Sequence, residues 1–481
     1  VQTESIAAPA TPEAAQAGAI LSKFKFVARK YIVFPAATTT TTGLRCAFDI
    51  ETNGLADATK VHCIGVVDLD SSAIDQYGPD QIPAALAHLS RAVYVTGHNI
   101  AEYDLPTLRR LHDWAPAPSC AIVDTLVAAR LILPAIADID DKVAAMSKAT
   151  LGKLRGRYSL EAFGVRLGIT KAGADIEDWS KWTPEMQERC VTDTLITKAL
   201  WLFLQPDSYL AAALDLEHRA SRICNRITAD GVPFDVKAGE QRQQQWTAQR
   251  VKLGAQLKKQ FPETNLNSRL QLGALLESRG WRAEQRTPKT NAPKITDEVL
   301  ETISAIYPEF AGLAEYLILS RRIAALATGK EAWSKHVDTD GRIHGGLIHI
   351  GTPHSRAKHL APNLAQVPNP KRGKPFAAEC RSLFRAPGNW VFVCSDQSGL
   401  QDRAFAHYLA EYDGFATHFY LAPDKPAPDK SSATPSAPCI TSMPAMTSSK
   451  NSSAMQRVRA RRHSSASASR RSIDSLPARP A

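Results

Sequence analysis

The sequence predicts an α/β domain with a mixed sheet, then an almost wholly helical segment, then a short α+β region and a disordered basic tail. Three observations carry this. Between residues 44 and 205 short apolar runs alternate with helical patterns, as in layered α/β domains. Between 206 and 330 apolar residues recur at helical spacing. After about Pro423, Ser, Ala, Pro, Thr and Arg dominate and no glutamate remains, a composition that cannot bury a core.

At 481 residues the chain is too long for one core, so two or three domains are expected. A hydrophobic fraction of 44% is ordinary for a globular protein. Lys and Arg total 58 against 48 Asp and Glu, a net charge of +10 to which the tail contributes. The excess favours a polyanionic partner, with nucleic acid the first candidate. The eight cysteines form no Cys-x-x-Cys pair and no zinc-like cluster. They read as reduced core residues in a cytoplasmic setting. No apolar run reaches membrane-spanning length, no signal-peptide pattern opens the chain, and no fixed-period repeat is present.

Residues 1–43 read as a peripheral extension rich in Ala, Thr and Pro, with a helical pattern from Glu13 to Lys30. The chain opens on Val1, so its true start is expected upstream. Cys46 to Ile50 reads as a strand running into the turn signal Asn53-Gly54. Val61–Asp68 reads as its hairpin partner, and Ala92–Thr96 as a further strand ending at Gly97-His98-Asn99. Helices are predicted over Leu105–Leu111, Asp124–Ile132, Tyr158–Leu167 and Glu185–Leu204. Leu214–Ala229 and the Gln- and Lys-rich Lys237–Phe261 continue the helical pattern. The latter is polar on most faces, as a helix along solvent or a charged partner is. Residues 312–328 carry Arg321 and Arg322 within an apolar pattern, and a strand-rich region starts at Gly341. Asn389–Asp396 reads as an apolar strand ending in an acid, with a helix over Gly399–Glu411.

The chemistry begins in the first strand. Residues i and i+2 of a strand share a face, which sets Asp49 beside Glu51 and puts Phe48 and Ile50 opposite. Two carboxylates that close repel unless a cation lies between them, and Mg²⁺ favours such oxygen sites. Asp104 opens one helix and Asp193 lies within another. Four acids could surround two ions about 4 Å apart, the arrangement that hydrolyses phosphodiesters. Each has an ordinary alternative. Asp104 fits a helix N-cap, Asp193 a solvated helix acid, and Asn99 a turn residue at a strand end.

Phe48-Asp49-Ile50-Glu51, His98-Asn99 with Tyr103-Asp104, then Asp193 on a late helix, resemble the DEDD family of 3′–5′ exonucleases. The resemblance implies a ribonuclease H-like domain over 44–205, with Asp49, Glu51, Asp104 and Asp193 as catalytic ligands of Mg²⁺. Mn²⁺ can substitute, and Asn99 would contact DNA. The last motif departs from the family. Where the family places a Tyr four residues before its final Asp, or a His five before, this chain has Arg189 and Glu188. Arginine cannot serve as a base at neutral pH.

Further on stand Gly351-Thr352-Pro353-His354-Ser355-Arg356, Pro362-Asn363-Leu364-Ala365-Gln366, Glu379-Cys380-Arg381 and the run Trp390–Asp396 into Gln397-Ser398-Gly399-Leu400. Chemically this is a basic, amide-rich surface suited to phosphates and groove acceptors, or an ordinary polar loop ahead of a core strand. The string resembles family A DNA polymerases of the replicative type of short-tailed bacteriophages, and the likeness covers roughly residues 44–420. It implies a helical connector and thumb over 206–330 and a partial palm over 331–422. It makes Asp396 a catalytic palm carboxylate and metal ligand. Arg356, Asn363, Gln366 and Arg381 would lie along the primer–template. It implies DNA replication by template-directed synthesis with proofreading, in a bacterial host or prophage. Primer–template DNA and a single-stranded 3′ end would be the partners. No thumb insertion points to a processivity factor, and no membrane partner is implied.

Two departures follow. Gln401 stands where the family has Glu, and Asp402 where it has an apolar residue. The nucleotide-binding fingers helix and the late His-Asp-Glu are not found after Tyr420. The palm is therefore expected to be incomplete, dNTP binding compromised and polymerase activity lost. Residues 423–481 read as a disordered basic tail or as a shifted-frame translation of the fingers. The competing readings are a DNA-binding remnant without catalysis and a ribonuclease D-like exonuclease.

Overall fold

The computed structural model describes residues 20–25, 27–28, 43–55, 57–147, 151–169, 176–287, 290–393, 395 and 399–409. Asp396 and the tail from 423 lie outside the described residues, as does most of the N-terminal extension. The chain divides into two compact units, Val1–Val391 and Phe392–Ala481.

The first unit starts from a five-stranded mixed sheet. Its strands are β1 (Leu44–Thr52), β2 (Val61–Asp68), β3 (Ile74–Tyr77), β4 (Ala92–Gly97) and β5 (Ala121–Asp124), in the order β3-β2-β1-β4-β5. β2 runs antiparallel to β1 and pairs Asp49 with Gly65 and Glu51 with Cys63. β3 is antiparallel to β2, whereas β4 is parallel to β1 and β5 to β4. The expected strands formed, and the expected hairpin partner is β2.

Helices cover both faces. On one, Phe48, Ile50, Val66 and Val95 pack under α1 (Ile82–Leu89) and α2 (Asp104–His112). On the other, Ala47, Tyr94 and Val123 meet Ala128, Ile136, Phe163 and Ile196. These come from α3 (Thr125–Ile132), α4 (Ile136–Ser147), α5 (Leu160–Leu167) and α6 (Pro184–Leu204). Residues 20–25 and 27–28 are helical and add Ile20, Phe24 and Val27 to this second core. With Phe48 and Ile50 facing one core, the pleat turns Asp49 and Glu51 toward the α6 side.

The α4–α5 layer is held by a buried ion pair. Arg166 is fully buried and Asp140 nearly so. Arg166 donates from Nε to Asp140 Oδ1 at 2.9 Å and from Nη2 to Oδ2 at 2.8 Å. Its Nη1 donates to the carbonyl of Arg157, and Asp140 also accepts the Gly156 amide, each at 2.8 Å.

Beyond the sheet the chain is helical, as its pattern predicts: α7 (Ala211–Asp230), α8 (Val236–Gln260), α9 (Arg269–Ser278), α10 (Asp297–Ile306) and α11 (Ala311–Ile323). The 25-residue α8 buries only Gly239, Trp246 and Leu257. Trp246 joins a cluster with Leu319, Trp333 and Cys380, and Leu257 joins another with Leu272, Ile303 and Leu313. One polar helix thus ties two cores together. Short ladders follow. β6 (Val232–Pro233) pairs β7 (Arg342–Ile343), and β8 (Gly346–Ile348) pairs β9 (Lys358–Leu360). The helix α12 (Ala377–Arg381) comes next.

The expected strand over Asn389–Asp396 is not found. Residues 389–393 and 395 carry no regular structure, and Trp390, Val391, Phe392 and Val393 are exposed. The physical reason is pairing: among the described residues no strand lies alongside to take up these backbone groups, and an apolar run alone does not make a sheet. In the second unit α13 (Leu400–Leu409) is helical, as expected.

Candidate metal centre

The cleft at the C-terminal end of β1 measures about 860 Å³. Asp49, Glu51, His98, Asn99, Tyr103, Asp104, Arg189 and Asp193 all line it. Asp49, Glu51 and Asp193 each bring a carboxylate oxygen within 4.8 Å of the others. Asp193 is buried, which rules out its reading as a solvated helix acid.

Close packing of α6 on the sheet brings these groups together. A Cβ on Gly65 would stand 2.8 Å from Thr194 Oγ1 and 3.3 Å from the Cys190 carbonyl, so the helix rides where β2 has no side chain. The Cys190 thiol donates to the Asp49 carbonyl at 3.2 Å and Thr194 Oγ1 to its own helix at Cys190. Burial pushes the Cys190 thiol well above its ordinary pKa, so it stays neutral there. At the end of β4, a Cβ on Gly97 would lie 2.9 Å from the Phe48 carbonyl, which lets the His98-Asn99 turn sit against β1.

Asp104 is not an N-cap. Tyr103 occupies that position, and the Asp104 side chain accepts the Ile50 amide at 3.2 Å. Burial pushes its carboxyl up to about 8, with Asp124 and Glu51 adding to the rise and the Ile50 amide opposing it. A buried, protonated carboxyl beside three clustered carboxylates is the condition a cation would relieve.

Arg189 lies across the mouth. Its Nε is 3.7 Å from Glu51 Oε1 and its guanidinium stacks 5.4 Å from the centre of the Trp179 ring. The rim is tied at Gly54, whose carbonyl accepts from Thr52 Oγ1 and Tyr103 Oη, both at 2.7 Å.

Asp124 supports the edge of this cleft, and the sequence alone does not signal it. Its Oδ1 accepts the amides of Asn99 at 2.9 Å and Leu126 at 2.8 Å, and its Oδ2 that of Ala101 at 3.1 Å. It therefore caps α3 and fixes the turn that presents Asn99, which has φ of +67°. An acid before an apolar helix signals the cap; nothing local signals the second task. Trp179, Leu55, Asp57 and Glu102 also line the cleft unanticipated.

Of the five DNA-contact candidates only Asn99 lines this cleft. Arg356, Gln366 and Arg381 are exposed elsewhere in the first unit, and Arg381 Nε donates to the Pro368 carbonyl at 3.0 Å. Asn363 is half-buried.

The family model for DNA polymerase family A matches residues 236–419. The DNA-directed DNA polymerases of Escherichia phage T7 and Enterobacteria phage T3 are each 28% identical over 494 residues, covering 76% of this chain and 69% of theirs.

Over residues 236–419 the chain is similar to DNA polymerase family A.

The thermostable DNA polymerase I of Thermus aquaticus is 25% identical, over 47% of this chain and 27% of its own. Among solved structures, the polymerase domain of Pol1 from M. smegmatis, in complex with DNA primer-template and dNTP, superposes with a TM-score of 0.55 at 16% identity. It covers 84% of this chain and 64% of its own, a likeness of fold. No helix among the described residues is long and apolar enough to cross a membrane.

Proposed function

We propose that residues 44–205 form a ribonuclease H-like 3′–5′ exonuclease domain, attached to thumb and partial palm segments of a replicative DNA polymerase. The observation that carries this is the carboxylate cluster, with Asp49, Glu51 and Asp193 oxygens within 4.8 Å of one another and Asp104 buried in the same cleft. The sheet order β3-β2-β1-β4-β5 supports the ribonuclease H-like reading. An all-carboxylate donor set suits a hard divalent cation such as Mg²⁺, with Mn²⁺ an acceptable substitute. Asp49, Glu51 and Asp193 would hold it and Asp104 would complete the set. The ion supplies Lewis-acid stabilisation of the negative charge that builds on a phosphodiester during hydrolysis.

This chain's own residues do the rest. Asn99 offers an amide to the 3′-terminal nucleotide from the turn that Asp124 fixes. Trp179 and Leu55 give its base an apolar wall. Arg189 contacts a phosphate, and a guanidinium takes no proton from the attacking water. Turnover is accordingly slow.

Template-directed DNA synthesis is the reaction of the lineage. Asp396 would be its palm carboxylate, and Arg356, Asn363, Gln366 and Arg381 would contact the primer–template. Residues 1–481 offer one palm acid, Asp396, to this reaction and are proposed not to perform it by themselves. A second reading, a DNA-binding remnant without hydrolysis, is favoured by one observation, the approach of Arg189 to Glu51 across the cluster. Incubating end-labelled single-stranded DNA with the chain and Mg²⁺ or Mn²⁺ separates the two. Shortening from the 3′ end that is absent in an Asp49→Ala/Glu51→Ala variant supports the exonuclease. Equal behaviour of the two proteins overturns it.

A further inference from the structure

β5 is the edge strand of the described sheet, so its outward amides need acceptors from outside the ladder. At its last residue a side chain fills that need. The Asp124 amide donates to His218 Nε2 at 2.8 Å. His218 belongs to α7, 94 residues further along the chain. An N–H aimed at Nε2 makes that nitrogen the acceptor, so the ring proton sits on Nδ1. Nδ1 donates to the Leu214 carbonyl, one turn back on α7, at 2.7 Å. Both ring nitrogens are committed, and the ring is held in one orientation.

The joint around this bond is packed. His218 is buried, as are Leu214, Ser221 and Cys224 of the same helix. α7 packs against both α3 and β8. His349, the residue after β8, is buried at the same place, with Nε2 3.9 Å from Glu217 Oε2. A buried amide left without an acceptor costs as much as a lost hydrogen bond or more, so the docking of α7 and the position of Asp124 are linked.

Asp124 in turn holds the turn at Asn99. Its carboxylate accepts the amides of Asn99 and Ala101. Asn99 has φ of +67°, a conformation that surrounding bonds must maintain. The bonds thus run from α7 through Asp124 to one edge of the carboxylate cleft. They bypass Asp49 and Glu51 on β1 and Asp193 on α6.

We propose that His218 is a positioning residue for the carboxylate site, fixing the Asn99 turn through the Asp124 amide. The inference rests on the exonuclease reading and adds a dependence of that site on α7, which lies beyond residues 44–205. The domain that bears the carboxylates is completed by the helix that follows it.

The test reads the turn apart from hydrolysis. Hydrogen exchange is followed by mass spectrometry on the full chain, without metal or DNA. Four proteins are compared: the intact chain, His218→Ala, His218→Gln and Ser221→Ala, which alters a buried residue of the same helix. In His218→Ala, peptides covering residues 97–103 should exchange at least about fivefold faster, as the loss of one hydrogen bond implies. α1, on the other face of the sheet, serves as the internal reference and should not change. Ser221→Ala should leave residues 97–103 as they are. His218→Gln offers an amide oxygen to Asp124 and should restore most of the protection. Equal acceleration in α1, equal acceleration in Ser221→Ala, or His218→Gln no better protected than His218→Ala overturns the proposal. In metal-dependent digestion, His218→Ala should raise KM for single-stranded DNA about fivefold with kcat within about twofold; a fall in kcat at unchanged KM overturns the proposal as well. The exchange measurement fails or succeeds without any turnover, whereas absence of digestion by the intact chain counts against the exonuclease reading.

Discussion

Replacing Asp140 by Ala strips the counter-charge from Arg166 at the centre of the α4–α5 layer. Arg166 is fully buried and loses two charge-assisted bonds of 2.8 and 2.9 Å. The Gly156 amide loses its acceptor as well. Breaking such a pair while leaving one ion buried costs about 3 to 5 kcal/mol. In a domain of this size each kcal/mol moves the midpoint by about 2 to 4 °C, so the loss is roughly 6 to 20 °C. Thermal unfolding followed by near-ultraviolet circular dichroism reads it. Asp140→Leu/Arg166→Met, which removes both charges, should recover much of the loss. A shift of less than about 2 °C in Asp140→Ala, or a double variant less stable than the single, would refute the argument.

Three further outcomes follow. Arg189→Ala should free Glu51 from its 3.7 Å neighbour and lower the Mn²⁺ concentration for half-maximal binding by about two- to fivefold, as a partly exposed pair is worth up to about 1 kcal/mol; unchanged binding would show that the pair does not compete with the ion. His349 is buried, and desolvation, with Arg130 and His218 adding to it, lowers its pKa to about 4. The unfolded state then binds more protons than the folded one between pH 6.5 and 4, so this group's contribution, up to about 3 kcal/mol, is present above pH 6.5 and lost as pH falls through that window; urea midpoints at pH 7.5 and 5 should differ less in His349→Gln, and an equal difference would refute the assignment. Primer extension with four dNTPs and Mg²⁺ should be absent for residues 1–481, and extension abolished by Asp396→Ala would contradict the proposed loss.

What was legible in the sequence was whatever local period controls. Alternation in β1 told that Asp49 and Glu51 share a face, and helical spacing placed Asp193 on α6. The length and polarity of α8 were equally readable. Contacts between distant segments were not. That Asp193 is buried depends on Gly65 of β2, and the second task of Asp124 depends on a turn 25 residues earlier. The Arg189–Glu51 approach likewise joins segments far apart in the chain. The run from Trp390 misled because apolar composition reports a preference for burial without naming what would cover it.

The most direct measurement is a Mn²⁺ titration followed by electron paramagnetic resonance, in which bound ion loses the six-line signal of the free ion. The cluster of Asp49, Glu51 and Asp193 predicts saturable uptake by the intact chain and uptake lost in Asp49→Asn/Asp193→Asn. Superimposable titration curves for the two proteins would contradict the metal centre.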